Sequence, residues 1–121
     1  MTGSRWIAAT LWAVLIEVLT SWPSPPTFGA PAGSDKAAHM ALYAVFAYLV
    51  LRAVRVGKPT PKSMILTLIA LAVWAALDEV HQLRIAGRTA SVGDWVGDVM
   101  GVALGITVRR ARSVGLMVPR S

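Results

Sequence analysis

A chain of 121 residues with 55% hydrophobic and 15% charged side chains cannot hide its apolar surface inside itself, because small folds bury a low fraction of their area. A lipid-facing exterior follows, which sets aside a soluble helical bundle. The net charge of +6 carries no nucleic-acid signature, since the basic residues flank apolar runs without an aromatic and basic surface. The absence of cysteine excludes disulfides, thiolate catalysis and cysteine-based zinc sites.

The first apolar segment, Trp6–Trp22, follows Arg5 and carries Glu17 in its second half. Arg5, the apolar run and the small residues of FGAPAGS imitate a secretory signal. Glu17 inside the run, and the prolines ahead of the small residues, favour a retained helix. The expected partner of Glu17 is His39 or an arginine. Thr10, Thr20 and Ser21 are expected to bond to backbone carbonyls.

The second segment, Ala37–Val54, is preceded by Ser34–Asp35–Lys36. Asp35, His39 and Tyr43 recur every four residues and line one helical stripe. Ser34 suits an N-cap, and Asp35 suits the positive end of the helix dipole. His39 falls about one turn inside the membrane boundary, where an ionisable side chain needs a partner or a wet cavity.

The third segment, Ser63–Leu77 with a polar extension to Leu83, ends in LDEVHQL. Trp74, Asp78 and Gln82 share a stripe at spacing four, and Glu79 and Gln82 stand three apart. Successive helical side chains lie ~100° apart, so Asp78 and Glu79 cannot face one way. One is expected in the mouth of the bundle and the other along its rim. In the connector, Arg88 fits a forked pair with a helix-end carboxylate or a grip on a ligand phosphate. Arg84 fits lipid headgroups.

In the fourth segment, Val92–Val108, Gly93, Gly97, Gly101 and Gly105 recur every four residues. Such a small-residue stripe lets helices approach closely. Asp94 and Asp98 lie beside it and are expected to turn toward the partner helices. Asp94 suits helix capping, whereas Asp98 is too deep for that and reads as functional. The tail VRRARSVGLMVPRS reads as an anchor near anionic lipid.

Each segment is about 17–20 residues, near the lower length that crosses a bilayer as a helix. The seven prolines all lie outside these segments, as expected of residues that break helix interiors. Trp6, Trp22 and Trp95 sit at segment ends, where indoles favour the headgroup level. The sequence thus predicts one all-α domain over 1–121, a small polytopic bundle of about four transmembrane helices. Arg5, Arg52, Arg55, Lys58, Lys62, Arg109, Arg110, Arg112 and Arg120 fall on one side of that serpentine, and Lys36, Arg84 and Arg88 on the other. This bias places both termini in the cytoplasm and the acids outside, in a multi-pass protein of the cytoplasmic membrane.

Two stretches carry a resemblance. SDKAAHMALYAVFAYL and DEVHQLRIAGRTASVGDWVGDVMGVALG look like the VanZ-like membrane proteins. That family pattern runs Asp-Lys-x-x-His, Glu-x-x-Gln, Gly-Arg, Asp and Asn-x-x-Gly. Asp35, Lys36 and His39 match its first element, and Glu79 and Gln82 its second. Gly87, Arg88, Asp94 and Gly101 match the rest, while Asp98 stands where the family usually has Asn. The resemblance spans a motif region at 34–105, ahead of a basic tail at 109–121. It implies a small multi-helix membrane protein related to one linked with teicoplanin resistance, without implying a settled reaction.

Three functions stay open at this level. The first is binding, with Lys36, Arg88, Gln82, Asp35, Asp94 and Asp98 holding an anionic lipid headgroup or a cell-envelope precursor. The second is hydrolysis or transfer on a lipid-linked substrate, with Glu79, His39 and Asp78 moving protons and Lys36 and Arg88 stabilising charge. The third is a structural or accessory membrane subunit. Membrane lipids are the expected partners, nucleic acid is not, and the oligomeric state is open. Asp35, His39, Asp78, Glu79, His81, Asp94 and Asp98 offer mixed oxygen and nitrogen ligands. Their spacing matches no motif such as HExxH, so no cofactor is expected and a divalent metal remains the open alternative. Neither a nucleophile elbow nor a glycine-rich phosphate loop is present.

Overall fold

A computed structural model describes residues 2–21, 34–85 and 91–115. They form four helices, α1 (Thr2–Ser21), α2 (Ser34–Val54), α3 (Pro61–Gln82) and α4 (Val92–Ser113). Local chemistry sets the helix starts. Thr60 caps α3: its hydroxyl accepts the Ser63 N–H at 3.1 Å while the Ser63 hydroxyl accepts the Thr60 N–H at 2.9 Å. Pro61 occupies the first turn, where a missing N–H costs nothing. Ser91 caps α4, its hydroxyl accepting the Asp94 N–H at 3.1 Å. The capping expected of Asp94 therefore belongs to Ser91, and Asp94 contributes its charge to the first turn. Ser34 is itself helical, and its side chain lies outside the described residues.

Three of the helices, over Gly3–Ser21, Lys36–Val54 and Pro61–Gln82, are long and apolar enough to cross a membrane. The fourth matches them in length at 22 residues but carries Asp94 and Asp98 in its first half and Arg110 and Arg112 in its last turn. Ile7, Leu11, Val14 and Val18 on α1, and Leu66, Ile69, Val73 and Leu77 on α3, are exposed along continuous stripes. In water such faces would be costly; against acyl chains they are the expected exterior. Ile16, Tyr43, Ala47, Leu51, Ala75 and Val102 form the core between them.

The most extensive packing joins α2 to α4, which run parallel, with α3 against α4 and α1 against α2 next. Two glycines set this approach. A Cβ on Gly101 would collide with the Met40 carbonyl group, and one on Gly105 with that of Ala44. Gly93 and Gly97 sit in no such contact, so the expected stripe narrows to its inner half. The indole of Trp95 turns inward rather than to a headgroup layer, donating to the Ala72 carbonyl at 2.9 Å across α3 and α4. Trp12 likewise donates to Leu42 O at 2.8 Å. Trp6 is exposed, and Trp22 lies outside the described residues.

At one end of the bundle Arg5 donates to Arg52 O at 3.3 Å and Arg109 to Gly57 O at 3.2 Å. Arg109 and Arg112 both lie over the Tyr48 ring, at 5.9 and 5.7 Å from its centroid. The opposite end gathers Lys36, His39, Glu79, Gln82, Asp94 and Asp98. Gly101→Ala should lower stability by about 1–3 kcal/mol, the usual cost of overpacking. Gly97→Ala should be neutral or stabilising by up to about 1 kcal/mol, because helix propensity then acts alone. Thermal unfolding in detergent micelles checks both. Equal midpoints for the two variants would contradict the glycine-set packing.

Candidate functional site

The polar end contains two buried acid clusters that share α2 and α3. In the first, Asp78 accepts from the Tyr43 hydroxyl at 2.9 Å through Oδ2. Its Oδ1 lies 3.0 Å from the Thr20 hydroxyl, which also reaches the Ile16 carbonyl at 2.8 Å. Thr20, Tyr43 and Asp78 are all buried, so α1, α2 and α3 are tied together by one carboxylate. Both oxygens of that carboxylate have partners. A buried carboxylate satisfied in this way locks packing and leaves little capacity for a ligand.

The second cluster lies between α2, α3 and α4. His39 Nδ1 is 3.2 Å from Asp98 Oδ1. Glu79 completes the group: His39, Glu79 and Asp98 each bring one possible ligand atom within 4.8 Å of the others. Among the described residues that the sequence offered as metal ligands, these three converge. Glu79 Oε2 accepts the Ser91 N–H at 3.4 Å. Glu79 Oε1, Asp98 Oδ2 and Gln82 Nε2 are buried with no hydrogen-bond partner among the described residues. Such atoms are rare in settled protein interiors. At the rim, Lys36 Nζ stands 3.7 Å from Asp94 Oδ1, with the lysine side chain 62% exposed.

Asp78 and Glu79 diverge as their succession requires, but neither lies on a rim. Both are buried, because the end of α3 is wedged between α1 and α2 on one side and α2 and α4 on the other. His39 and Tyr43, four apart on α2, reach different partners. His39 reaches Asp98 on α4 while Tyr43 reaches Asp78 on α3. The side chain of Asp35, with Gly87 and Arg88, lies outside the described residues. Glu17 is half-buried, and among the described residues it pairs with neither His39 nor an arginine; the described ion pairs are Lys36–Asp94 and His39–Asp98. Ser21 contacts His81 Nε2 at 3.1 Å rather than a carbonyl.

Among the expected acid-base residues, then, Glu79 and His39 come together and Asp78 stands in the neighbouring cluster. Of those expected to bind, Asp98 and Gln82 are buried near Glu79, while Lys36 and Asp94 pair at the rim. Sequence reasoning gave Thr20 no role beyond the backbone and Tyr43 none beyond its stripe. The available signal was that a deep hydroxyl or phenol needs a partner. Tyr43→Phe should cost about 1–3 kcal/mol by leaving a buried carboxylate oxygen unpaired. Asp94→Asn, at an exposed pair, should cost at most about 1 kcal/mol. Detergent melting curves compare the two, and a larger loss for Asp94→Asn would contradict the assignment.

With this geometry in place, comparison with known families matches the chain to the family described as VanZ/LLP1, over residues 4–112. Neither the curated proteins nor the solved structures offer a match. The family alignment takes in both acid clusters and all four helices, and the chain belongs to the VanZ/LLP1 family of membrane proteins.

Proposed function

We propose that this VanZ-like protein binds the polar headgroup of a phosphate-bearing lipid, or of a lipid-linked cell-envelope precursor, at the polar end of its bundle. One observation carries the reading. Among the described residues, Glu79 Oε1, Asp98 Oδ2 and Gln82 Nε2 are buried without a hydrogen-bond partner, at the end of the bundle where Lys36 is exposed. In an intramembrane setting, ionisable groups held in this way mark a binding or transport path more often than a scaffold. Their chemistry narrows the occupant. Lys36 and the Gln82 amide donate toward a phosphate, and the Glu79 and Asp98 oxygens accept from hydroxyl or amine groups. A headgroup bearing both kinds of group fits; a purely anionic one would meet the repulsion of two carboxylates.

The polar end faces outward in this reading, on the bias of lysine and arginine toward the other end. An envelope precursor held there would be screened from glycopeptides acting outside the membrane, the route by which such a protein would confer teicoplanin resistance. A second reading is catalysis, favoured by the 3.2 Å contact of His39 Nδ1 with Asp98. A carboxylate that fixes an imidazole in this way equips it as a general base, with Glu79 as the acid for hydrolysis or transfer on a lipid-linked substrate. In that case Glu79→Gln abolishes turnover while the headgroup is still retained.

Native mass spectrometry of the detergent-purified protein tests binding. Phosphatidylglycerol, which carries a phosphate and hydroxyl donors, should be retained about tenfold better than phosphatidylcholine, which lacks donors. Such a ratio corresponds to ~1.4 kcal/mol, about one net hydrogen bond. Glu79→Gln and Gln82→Leu should each erode that preference, while Lys62→Gln at the far end should not. Equal retention of the two lipids would refute the headgroup reading. For sidedness, Val92→Cys in this cysteine-free chain should react with an impermeant maleimide on intact cells. Lys58→Cys should react only after lysis, and the reverse pattern would invert the topology.

A further inference from the structure

We infer that His39, Glu79 and Asp98 form a binding site for a divalent first-row transition cation, Zn2+ or Mn2+. Three helices contribute one ligand each, from α2, α3 and α4. Their possible donor atoms already lie within 4.8 Å of one another. Ligand atoms on a tetrahedral zinc ion lie ~3.3 Å apart, given bonds of about 2.0–2.1 Å. The 3.2 Å between His39 Nδ1 and Asp98 Oδ1 matches such an edge. Bringing Glu79 from within 4.8 Å to such an edge takes a shift of at most about 1.5 Å, within reach of a flexible side chain.

Independent of the clustering, the polar atoms there ask for a ligand. Asp98 is fully buried and Glu79 is 7% exposed, yet Asp98 Oδ2 and Glu79 Oε1 have no hydrogen-bond partner among the described residues. No described lysine or arginine makes an ion pair with either acid, since Lys36 is engaged by Asp94. Two carboxylates in a low-dielectric interior, facing one imidazole, favour a bound dication over any neutral occupant. The imidazole decides the class of metal. A nitrogen ligand suits zinc and manganese better than magnesium or calcium, which prefer oxygen alone. Three protein ligands leave a coordination position open.

The test uses the whole chain in detergent, without added lipid. After EDTA stripping, titration calorimetry with Zn2+, Mn2+ and Mg2+ should give about one Zn2+ or Mn2+ per chain, with Mg2+ weaker by about a hundredfold or more. Glu79→Gln and Asp98→Asn should each weaken binding by about a hundredfold, since loss of a ligand exceeds the ten- to hundredfold effect of an outer-shell partner. His81→Gln should bind as the parent does. Spin-echo spectra of the Mn2+-loaded protein give a readout that needs no acid variant. Nitrogen modulation from a coordinated imidazole should be present in the parent and in His81→Gln, and lost in His39→Gln. A parent protein that takes up neither Zn2+ nor Mn2+, or prefers Mg2+, would overturn the site, as would modulation that survives His39→Gln. Because no lipid enters these measurements, their failure leaves the headgroup reading standing, and failure of lipid retention leaves this site standing.

Discussion

Two carboxylates and one imidazole confined between three helices, in a bundle whose outer faces dissolve in acyl chains, set the terms for the rest of this protein. Burying one such acid is expensive; burying two beside each other is tolerable only where something offsets the charge. The contact between His39 and Asp98 supplies part of that offset. Its length is not free to vary. Gly101 lies one turn beyond Asp98 and packs on the backbone of Met40, the neighbour of His39, while Gly105 repeats the contact at Ala44 one turn further. The parallel approach of α2 and α4 therefore fixes how near the acid comes to the imidazole. Packing and site are one constraint.

The two acid clusters differ in kind, although their acids are adjacent in sequence. Asp78 has a hydroxyl within hydrogen-bond reach of each oxygen, one from α1 and one from α2. It behaves as a structural tie. Glu79 keeps only a 3.4 Å contact with the Ser91 N–H and leaves its other oxygen unpartnered. A 100° turn along one helix thus separates scaffold from site. That division sets Asp78 in the neighbouring cluster, apart from the grouping of His39, Glu79 and Asp98 on which the proposals draw.

Much of this was legible in the sequence, for reasons that differ from element to element. Proline placement and apolar length located the four helices, because both act locally. The glycines announced a close helix contact, but not that Gly101 and Gly105 alone would make it, since that depends on which face α2 presents. The depth of Asp98 marked it as unusual. Its partner could not be read, because His39 is 59 residues away and no local rule joins them. For the same reason the Thr20–Asp78–Tyr43 tie escaped notice. Thr20 and Tyr43 looked ordinary within their own helices, and only the packing of three helices brings both to Asp78. Trp95 misled in the opposite direction, its position at a segment end suggesting a lipid interface while its indole bonds across to α3.

The convergence of His39 on Asp98 is the claim on which the geometry of the site and the cation reading rest. Solid-state NMR of proteoliposomes addresses it directly, using 15N-labelled histidine and 13C-carboxyl-labelled aspartate in a His81→Gln background that leaves His39 as the one labelled imidazole. Dipolar dephasing corresponding to ~4 Å between an imidazole nitrogen and an aspartate carboxyl carbon, abolished by Asp98→Asn, is the result expected of a direct contact. Absence of dephasing in the folded protein, or dephasing that persists in Asp98→Asn, would contradict the account.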